Sequence, residues 1–342
     1  MIIKKIKLVN FRCHSEYKLE CVEMTSQILG ENGAGKTSVL EAVYEALRGK
    51  SFRAVDAEIL KRGTEFYRIE IEYTSGEKVV VIYDGVKKQF LVEDKKFARL
   101  PKKNRYPVIL FEPSDLGLIG ASPTRKRDYF DRFLGGFDEK YVSNLNKYKK
   151  ALKQRNEALK SDLVGREMLF SWNILLARLG CEIAKKRRNL ITDINNELTD
   201  YYRSIAENED KVWIEYLNFG EIEEILLDES QYLRRLEADF ERDRVVQHTS
   251  FGVHKDNYRF IFNNRDADGS ASRGESRSVI LALKFIEAKK LLENTGKKPL
   301  VLLDDVFSEL DRKRQKYLVK NFQNHQVILT SVTKNLEEEG EY

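Results

Sequence analysis

The sequence predicts an α/β fold in which the two ends of the chain build one lobe and a mostly helical stretch between them builds a second. Three observations carry this expectation. Residues 27–47 read as strand, glycine-rich loop and helix. Residues 298–305 and 326–330 read as buried strands, the first ending in two acids. Between the two ends lie two apolar stripes at helical spacing. The expected division is 1–118 with 245–342 for the first, discontinuous lobe and 119–244 for the helical one.

The chain opens on a strand, residues 3–12. Gln27-Ile28-Leu29 is a second short strand, and it feeds Gly30-Glu31-Asn32-Gly33-Ala34-Gly35-Lys36-Thr37. That octet fits G-x-x-x-x-G-K-[ST], the phosphate-binding loop. Gly30, Gly33 and Gly35 let backbone N–H groups close around phosphates, and Asn32 and Ser38 flank the same cradle. Lys36 is placed for the β- and γ-phosphates, and the Thr37 hydroxyl suits Mg²⁺. The next helix carries apolar residues at 39, 40, 43 and 47 and points its positive end at the anion. Residues 67–97 read as a meander. Arg68 to Tyr73 alternates with period two, and Ser75-Gly76 and Asp84-Gly85 turn the chain. Val108-Ile109-Leu110-Phe111 is a short apolar strand.

The middle is helical. Tyr141, Leu145, Tyr148, Leu152 and Leu159 form one stripe. A second runs from Trp172 through Leu176, Leu179, Ile183, Leu190, Ile194, Leu198 and Tyr201 to Ile205. It predicts a local helical arm about 50 Å long. A charged helix is expected over 221–243 and another over about 275–293. The strand Lys298 to Leu303 ends in Asp304-Asp305. An acid at the carboxyl end of a parallel strand beside a phosphate loop holds Mg²⁺, and the following acid can activate the attacking water. ATP and Mg²⁺ are the expected ligands, with Thr37 and Asp304 at the metal and Asp304 and Asp305 catalytic.

Composition narrows the class. The chain has 342 residues, 42% hydrophobic and 34% charged, with net charge +5. No run reaches the roughly 18 apolar residues needed to span a bilayer. The start, Met1 to Ile6, has no signal-peptide core. Cys13, Cys21 and Cys181 are odd in number and lack C-x-x-C spacing, so no disulfide framework or zinc site is expected. A cytoplasmic protein with no membrane partner is the expectation. Charge is uneven: residues 99–190 hold 21 Lys/Arg against 10 Asp/Glu, and 191–250 hold 6 against 16. Clustered cations suit a polyanion. The densest runs contain Arg125, Lys126 and Arg127, and Lys185, Lys186, Arg187 and Arg188. Apart from Lys186, these are the candidate contacts of that polyanion, with a solvated helix face as the alternative reading.

Lys36 and Asp304 lie 268 positions apart, much further than in simple P-loop kinases. This split resembles the SMC-like branch of the ABC ATPases. Ala271-Ser272-Arg273-Gly274-Glu275-Ser276-Arg277 resembles the ABC signature, Ser308-Glu309-Leu310-Asp311 the D-loop, and Asn10-Phe11-Arg12 the N-terminal N-F-[RK]. Within the branch, Gly30 to Ala42, Gly49-Lys50-Ser51-Phe52-Arg53, Leu152 to Asn156 and Leu303 to Asp311 are similar to strings of the RecF family. The resemblance implies an ATP-dependent homodimer. In it Ser272, Arg273 and Gly274 meet the partner's ATP, Ser308 and Asp311 lie at the D-loop, and Arg12 approaches the phosphates. It implies a slow, DNA-stimulated ATPase switch in DNA repair, recombination and replication, linked to the SOS response. DNA would be bound as gapped or junction duplex or single strand, with RecR and RecO as partners. The family's glutamines after Ser272 are here Arg273, Glu275 and Ser276, and its G-P-H-R-D-D is Gly252 to Asn257, Gly-Val-His-Lys-Asp-Asn. No glutamine occurs between Gln89 and Gln154, so none lies at the exit of the Val108–Phe111 strand, and Thr330 or Ser331 stands where a switch histidine is common. The alternatives are a chromosome-structure ATPase of the SMC type and a transporter ATPase subunit. The absence of a long coiled-coil pattern and the 268-residue gap argue against them.

Overall fold

The computed structural model describes residues 2–161, 163–218 and 228–332. Two compact units emerge, 1–115 with 287–342, and 116–286. The stretch 245–286, expected with the first lobe, therefore falls in the second unit.

The first unit begins with β1 (Ile3–Phe11), β2 (His14–Glu20) and β3 (Thr25–Leu29). It continues through α1 (Lys36–Arg48), a single turn α2 (Asp56–Ile59), and β4 (Tyr67–Tyr73), β5 (Lys78–Tyr83), β6 (Lys88–Val92), β7 (Lys95–Phe97) and β8 (Val108–Phe111). The second unit holds α3 (Pro123–Phe137), α4 (Glu139–Ala158), α5 (Arg166–Ala206), β9 (Val212–Leu217), α6 (Glu229–Ala238), α7 (Phe240–Val246), β10 (Asn257–Phe262) and β11 (Arg265–Asp266). The chain returns to the first unit within α8 (Arg273–Thr295), then adds β12 (Leu300–Asp304), α9 (Arg312–Phe322) and β13 (Val327–Ser331).

Two sheets form the first unit. One is antiparallel, in the order β2-β1-β4-β5-β6-β7. The other is parallel, in the order β3-β13-β12-β8. Alternation explains the first: β4 buries Tyr67, Ile69, Ile71 and Tyr73 and leaves the residues between them half-exposed. The inner parallel strands are mainly apolar, as strands covered on both faces must be: β8, β12 and β13 are buried at every position, whereas the edge strand β3, Thr-Ser-Gln-Ile-Leu, is exposed at both ends. A single core joins the sheets through α1. Val39, Leu40, Val43 and Leu47 cluster with Ile6, Ile69 and Val81 of the antiparallel sheet and with Leu110, Leu302 and Ile328 of the parallel one. Gln326 stitches the seam: its buried side-chain amide accepts from Ile3 N at 2.8 Å and donates to Ile3 O at 2.7 Å.

In the second unit α4 and α5 pack side by side, and β9, β10 and β11 form a small antiparallel sheet. α5 runs 41 residues, longer than the stripe suggested, and its buried tyrosine is Tyr202 rather than Tyr201. Of the charged helix expected over 221–243, residues 221–227 lie outside the described residues. The remainder is α6 and the start of α7.

Of the six basic residues expected to contact a polyanion, Lys126, Arg127 and Arg187 are structural. Arg187 is 2% exposed. Its guanidinium binds Asp131 at 2.8 Å, Asp256 at 2.7 Å and Val253 O at 2.7 Å. A charge so enclosed has no path to a phosphate, and that expectation is corrected. Lys126 is also buried, its ammonium 5.9 Å from the centre of the Phe260 ring, and burial pulls its pKa down. Arg127 spends its guanidinium on Asp256 O and Thr124. Arg125 and Lys185 are exposed and Arg188 half-exposed. The family-like Leu152–Asn156 string has the same explanation. Arg155 is fully buried and binds Asn173, Asp243 and Thr249, and Asn156 accepts from Thr249 N.

Candidate functional site

The parallel sheet sets the site. β3, β13, β12 and β8 run in one direction, so their carboxyl ends lie along one edge, where ligands of such sheets bind. β3 exits into the glycine loop, β12 ends at Asp304 with Asp305 just beyond it, and β13 ends in Thr330-Ser331. Gly33 and Gly35 have φ of 85° and 88°, open only to residues without a Cβ penalty. At Gly35 a Cβ would fall 2.3 Å from Cys13 Sγ, so the loop can close here only with glycine.

Lys36 is 6% exposed, and its ammonium donates to Gly30 O at 2.7 Å and Glu31 O at 3.2 Å. The Asp305 carboxylate is 3.7 Å away. Thr37 Oγ1 donates to Asp304 Oδ1 at 2.8 Å, across 267 positions of sequence. Thr330 completes the group. Its hydroxyl donates to Asp304 Oδ1 at 3.0 Å and accepts from Asp305 N at 2.9 Å. Asp305 takes the left-handed φ of 52°, uncommon for a residue with a side chain, and its buried Oδ1 has no hydrogen-bond partner. Ser308 Oγ donates to Asp305 O at 2.7 Å, and Asp311 caps α9 through Arg314 N at 2.9 Å.

Arg12, Asn32, Gly33, Gly35, Lys36, Thr37, Ser38 and Asp305 line one open cleft of about 610 Å³, joined by Arg53, Lys61 and Arg62. Five cations there face Glu31, Glu58 and Asp305, a surplus suited to a polyphosphate. Arg12 and Arg53 are both anchored by Glu41, a fully buried carboxylate in α1. Arg12 grips it with two hydrogen bonds of 3.0 and 2.8 Å, Arg53 with one of 3.0 Å and Ser51 with one of 2.7 Å. Burial pushes the Glu41 carboxyl up, but these donors outweigh it and hold it below its usual range. In the sequence Glu41 stands only as part of the Gly30 to Ala42 string; the available signal was an acid flanked by Val39, Leu40, Ala42 and Val43 on a helix that also buries Glu45.

In the second unit Ser272 precedes α8. Its backbone N–H donates to Glu275 Oε2 at 2.6 Å, and Glu275 N donates to Ser272 Oγ at 3.2 Å. This is a reciprocal capping box. Ser272 and Arg273 are exposed, and Gly274 is half-exposed in the first turn of the helix.

A split parallel sheet carrying a phosphate loop, with an antiparallel sheet on one side of the loop's helix, defines an SMC-like ABC ATPase head. The sequence profile of the RecF/RecN/SMC N terminal domain matches residues 2–342. Among curated relatives, the DNA replication and repair protein RecF of Ruminiclostridium cellulolyticum is 33% identical, over 98% of this chain and 93% of its own. RecF of Clostridium perfringens is 29% identical over 96% and 92%. A solved structure described as the recombination mediator protein RecF-ATP in the RecFOR pathway superposes with a TM-score of 0.86 at 30% identity, covering 98% of this chain and 93% of that one. An SMC head bound to the C-winged helix domain of ScpA shares the fold, with a TM-score of 0.51 at 13% identity. The chain belongs to the RecF family. No helix among the described residues is long and apolar enough to cross a membrane.

Proposed function

We propose that this chain is an ATP-dependent DNA-binding protein of recombinational repair, dimerising on ATP and releasing on hydrolysis. The observation that carries the reading is the hydrogen bond between Thr37 and Asp304, which joins the two sequence halves of one nucleotide site. Family membership and the likeness to ATP-bound RecF support it.

The residues fit Mg²⁺. Thr37, Asp304 and Thr330 offer hard oxygen atoms in one cluster, and the next residue, Asp305, has a buried carboxylate oxygen with no hydrogen-bond partner. Thr37 and Asp304 would hold the ion, which supplies neutralisation of phosphate charge. Lys36 is held ready by two loop carbonyls, which it exchanges for β- and γ-phosphate oxygens. Asp305, fixed by the Thr330 hydroxyl and the Ser308 contact, orients water and takes its proton. Ser272 and Gly274 reach the γ-phosphate bound by a second protomer, with Ser308 and Asp311 at the same junction, so each site needs two chains. DNA at single-strand gaps is the substrate surface, and RecO- and RecR-type proteins are the partners that help load a recombinase. Turnover is slow and DNA-stimulated.

The test is sizing with ATP, with and without a gapped duplex. Wild-type protein should dimerise with ATP, more so with DNA. Lys36→Ala should stay folded and monomeric and bind no ATP. Normal ATP affinity in folded Lys36→Ala protein sinks the site.

A further inference from the structure

We infer that Lys95, Lys96, Arg99, Lys103, Lys297 and Lys298 form the surface of the first unit that contacts the phosphate backbone of duplex DNA. The inference rests on the proposal that the chain binds DNA. Three chain segments bring these residues together. β7 is the edge strand of the antiparallel sheet, where Lys96 lies opposite Leu91 and Lys95 opposite Val92. Buried Leu100 then anchors the chain at the end of α1, where a Cβ at Gly49 would sit 3.2 Å from Leu100 Cβ. Tyr106 N donates to Leu47 O at 3.1 Å, so residues 100–106 wrap that helix end. The loop before β12 joins them: Lys297 donates to Lys103 O at 3.4 Å, and Tyr106 OH donates to Lys298 O at 2.8 Å.

Beyond the turn before β7, which carries exposed Glu93 and Asp94, the charge is one-sided. Residues 95–111 contain no Asp or Glu, nor do 294–303. All six side chains are exposed. None of the six has an acidic partner among the described residues, whereas Lys5, Lys7 and Lys78 on the same sheet pair with Glu20, Glu70 and Glu72. Cations without acid partners at the rim of a sheet attract a regular polyanion, and each phosphate neutralised releases counterions. The runs at 125–127 and 185–188 offer fewer free charges, because Lys126 and Arg187 are buried, Arg127 binds Asp256 O and Lys186 pairs with Asp138.

The experiment compares two full-length variants with equal charge loss. One is Lys95→Gln/Lys96→Gln/Lys103→Gln/Lys298→Gln. The other is Lys147→Gln/Lys149→Gln/Lys150→Gln/Lys153→Gln, on the exposed side of α4. Affinity for a gapped duplex is measured with ATP across a salt series, alongside ATP affinity and melting. The first variant should lose at least about tenfold in affinity, and its slope of log K against log salt should shrink by about 3 to 4, near 0.9 per lost contact. The α4 variant should stay near wild type. If the first variant melts early, Lys95→Gln/Lys96→Gln alone should shrink the slope by about 2. An unchanged slope, or equal losses in both variants, overturns the surface and leaves these lysines as guards against strand-to-strand pairing. A wild-type chain that binds no DNA with ATP overturns the DNA-binding reading itself.

Discussion

Glu275→Gln should strengthen ATP-driven dimerisation. In the capping box Glu275 holds the backbone N–H of Ser272, and its own N–H takes up the Ser272 hydroxyl. Ser272 is one of the two residues proposed to meet the partner's γ-phosphate, with Gly274 beside it. The carboxylate thus places a negative charge within a few ångströms of an incoming anion. At about 5 Å, with water-like screening, one like-charge pair costs roughly 0.8 kcal/mol. Glu275 is half-exposed, so that screening is the appropriate choice. A symmetric dimer has two such sites, so the cost is about 1.6 kcal/mol, or about 15-fold in the dimerisation constant. Glutamine keeps the geometry of the box and removes only the charge. The assay is sedimentation with ATP in an Asp305→Asn background, where turnover does not blur the equilibrium. A dimerisation constant unchanged by Glu275→Gln would refute the reasoning, because it would mean the partner's phosphate does not approach Ser272.

Three further outcomes follow from other parts of the molecule. Asp305→Asn alone should bind ATP normally but hydrolyse it far more slowly and accumulate dimer; wild-type turnover would move the base elsewhere. Arg187→Gln leaves Asp131 and Asp256 without their buried counter-charge and should cost about 3–5 kcal/mol in denaturant unfolding, while Arg188→Gln should stay within about 0.5 kcal/mol of wild type. Burial lowers the His254 imidazole to about 4, well below the range of an exposed histidine. The unfolded chain therefore gains a proton that the folded one refuses, and stability falls as pH drops from about 7 towards 4. The loss should be about 2 kcal/mol by pH 5, read from urea midpoints, and His254→Gln should flatten this part of the profile.

Much of the nucleotide site was legible because phosphate chemistry fixes residue types at short spacing. Gly30 to Thr37 is contiguous, and Asp304 follows four apolar residues that must be a buried strand. The strands and helices around it also carry local periodicity. What escaped lacks a local signal. β2 reads His-Ser-Glu-Tyr-Lys-Leu-Glu, a half-solvated edge strand with little apolar contrast. β9, β10 and β11 are short strands among helices. Arg187 and Arg155 look like surface charges in sequence. Their burial depends on Asp131, Asp256 and Asp243, which lie 56 to 88 positions away. Only the folded chain shows that these charges are enclosed.

The strand order of the parallel sheet has a consequence in time. β3 has one neighbour, β13, and β8 has one neighbour, β12. On the ribosome, the strand that leads into the phosphate loop waits for a partner nearly 300 residues further on, on the order of 15–60 s at ordinary rates of synthesis. Until then Ile28, Val108, Ile109 and Leu110 have no sheet to enter and stand open to chaperones or to misassembly. The loop's residues are made nearly 300 residues ahead of β13, so the strand that feeds the loop takes its place in the sheet only after that delay.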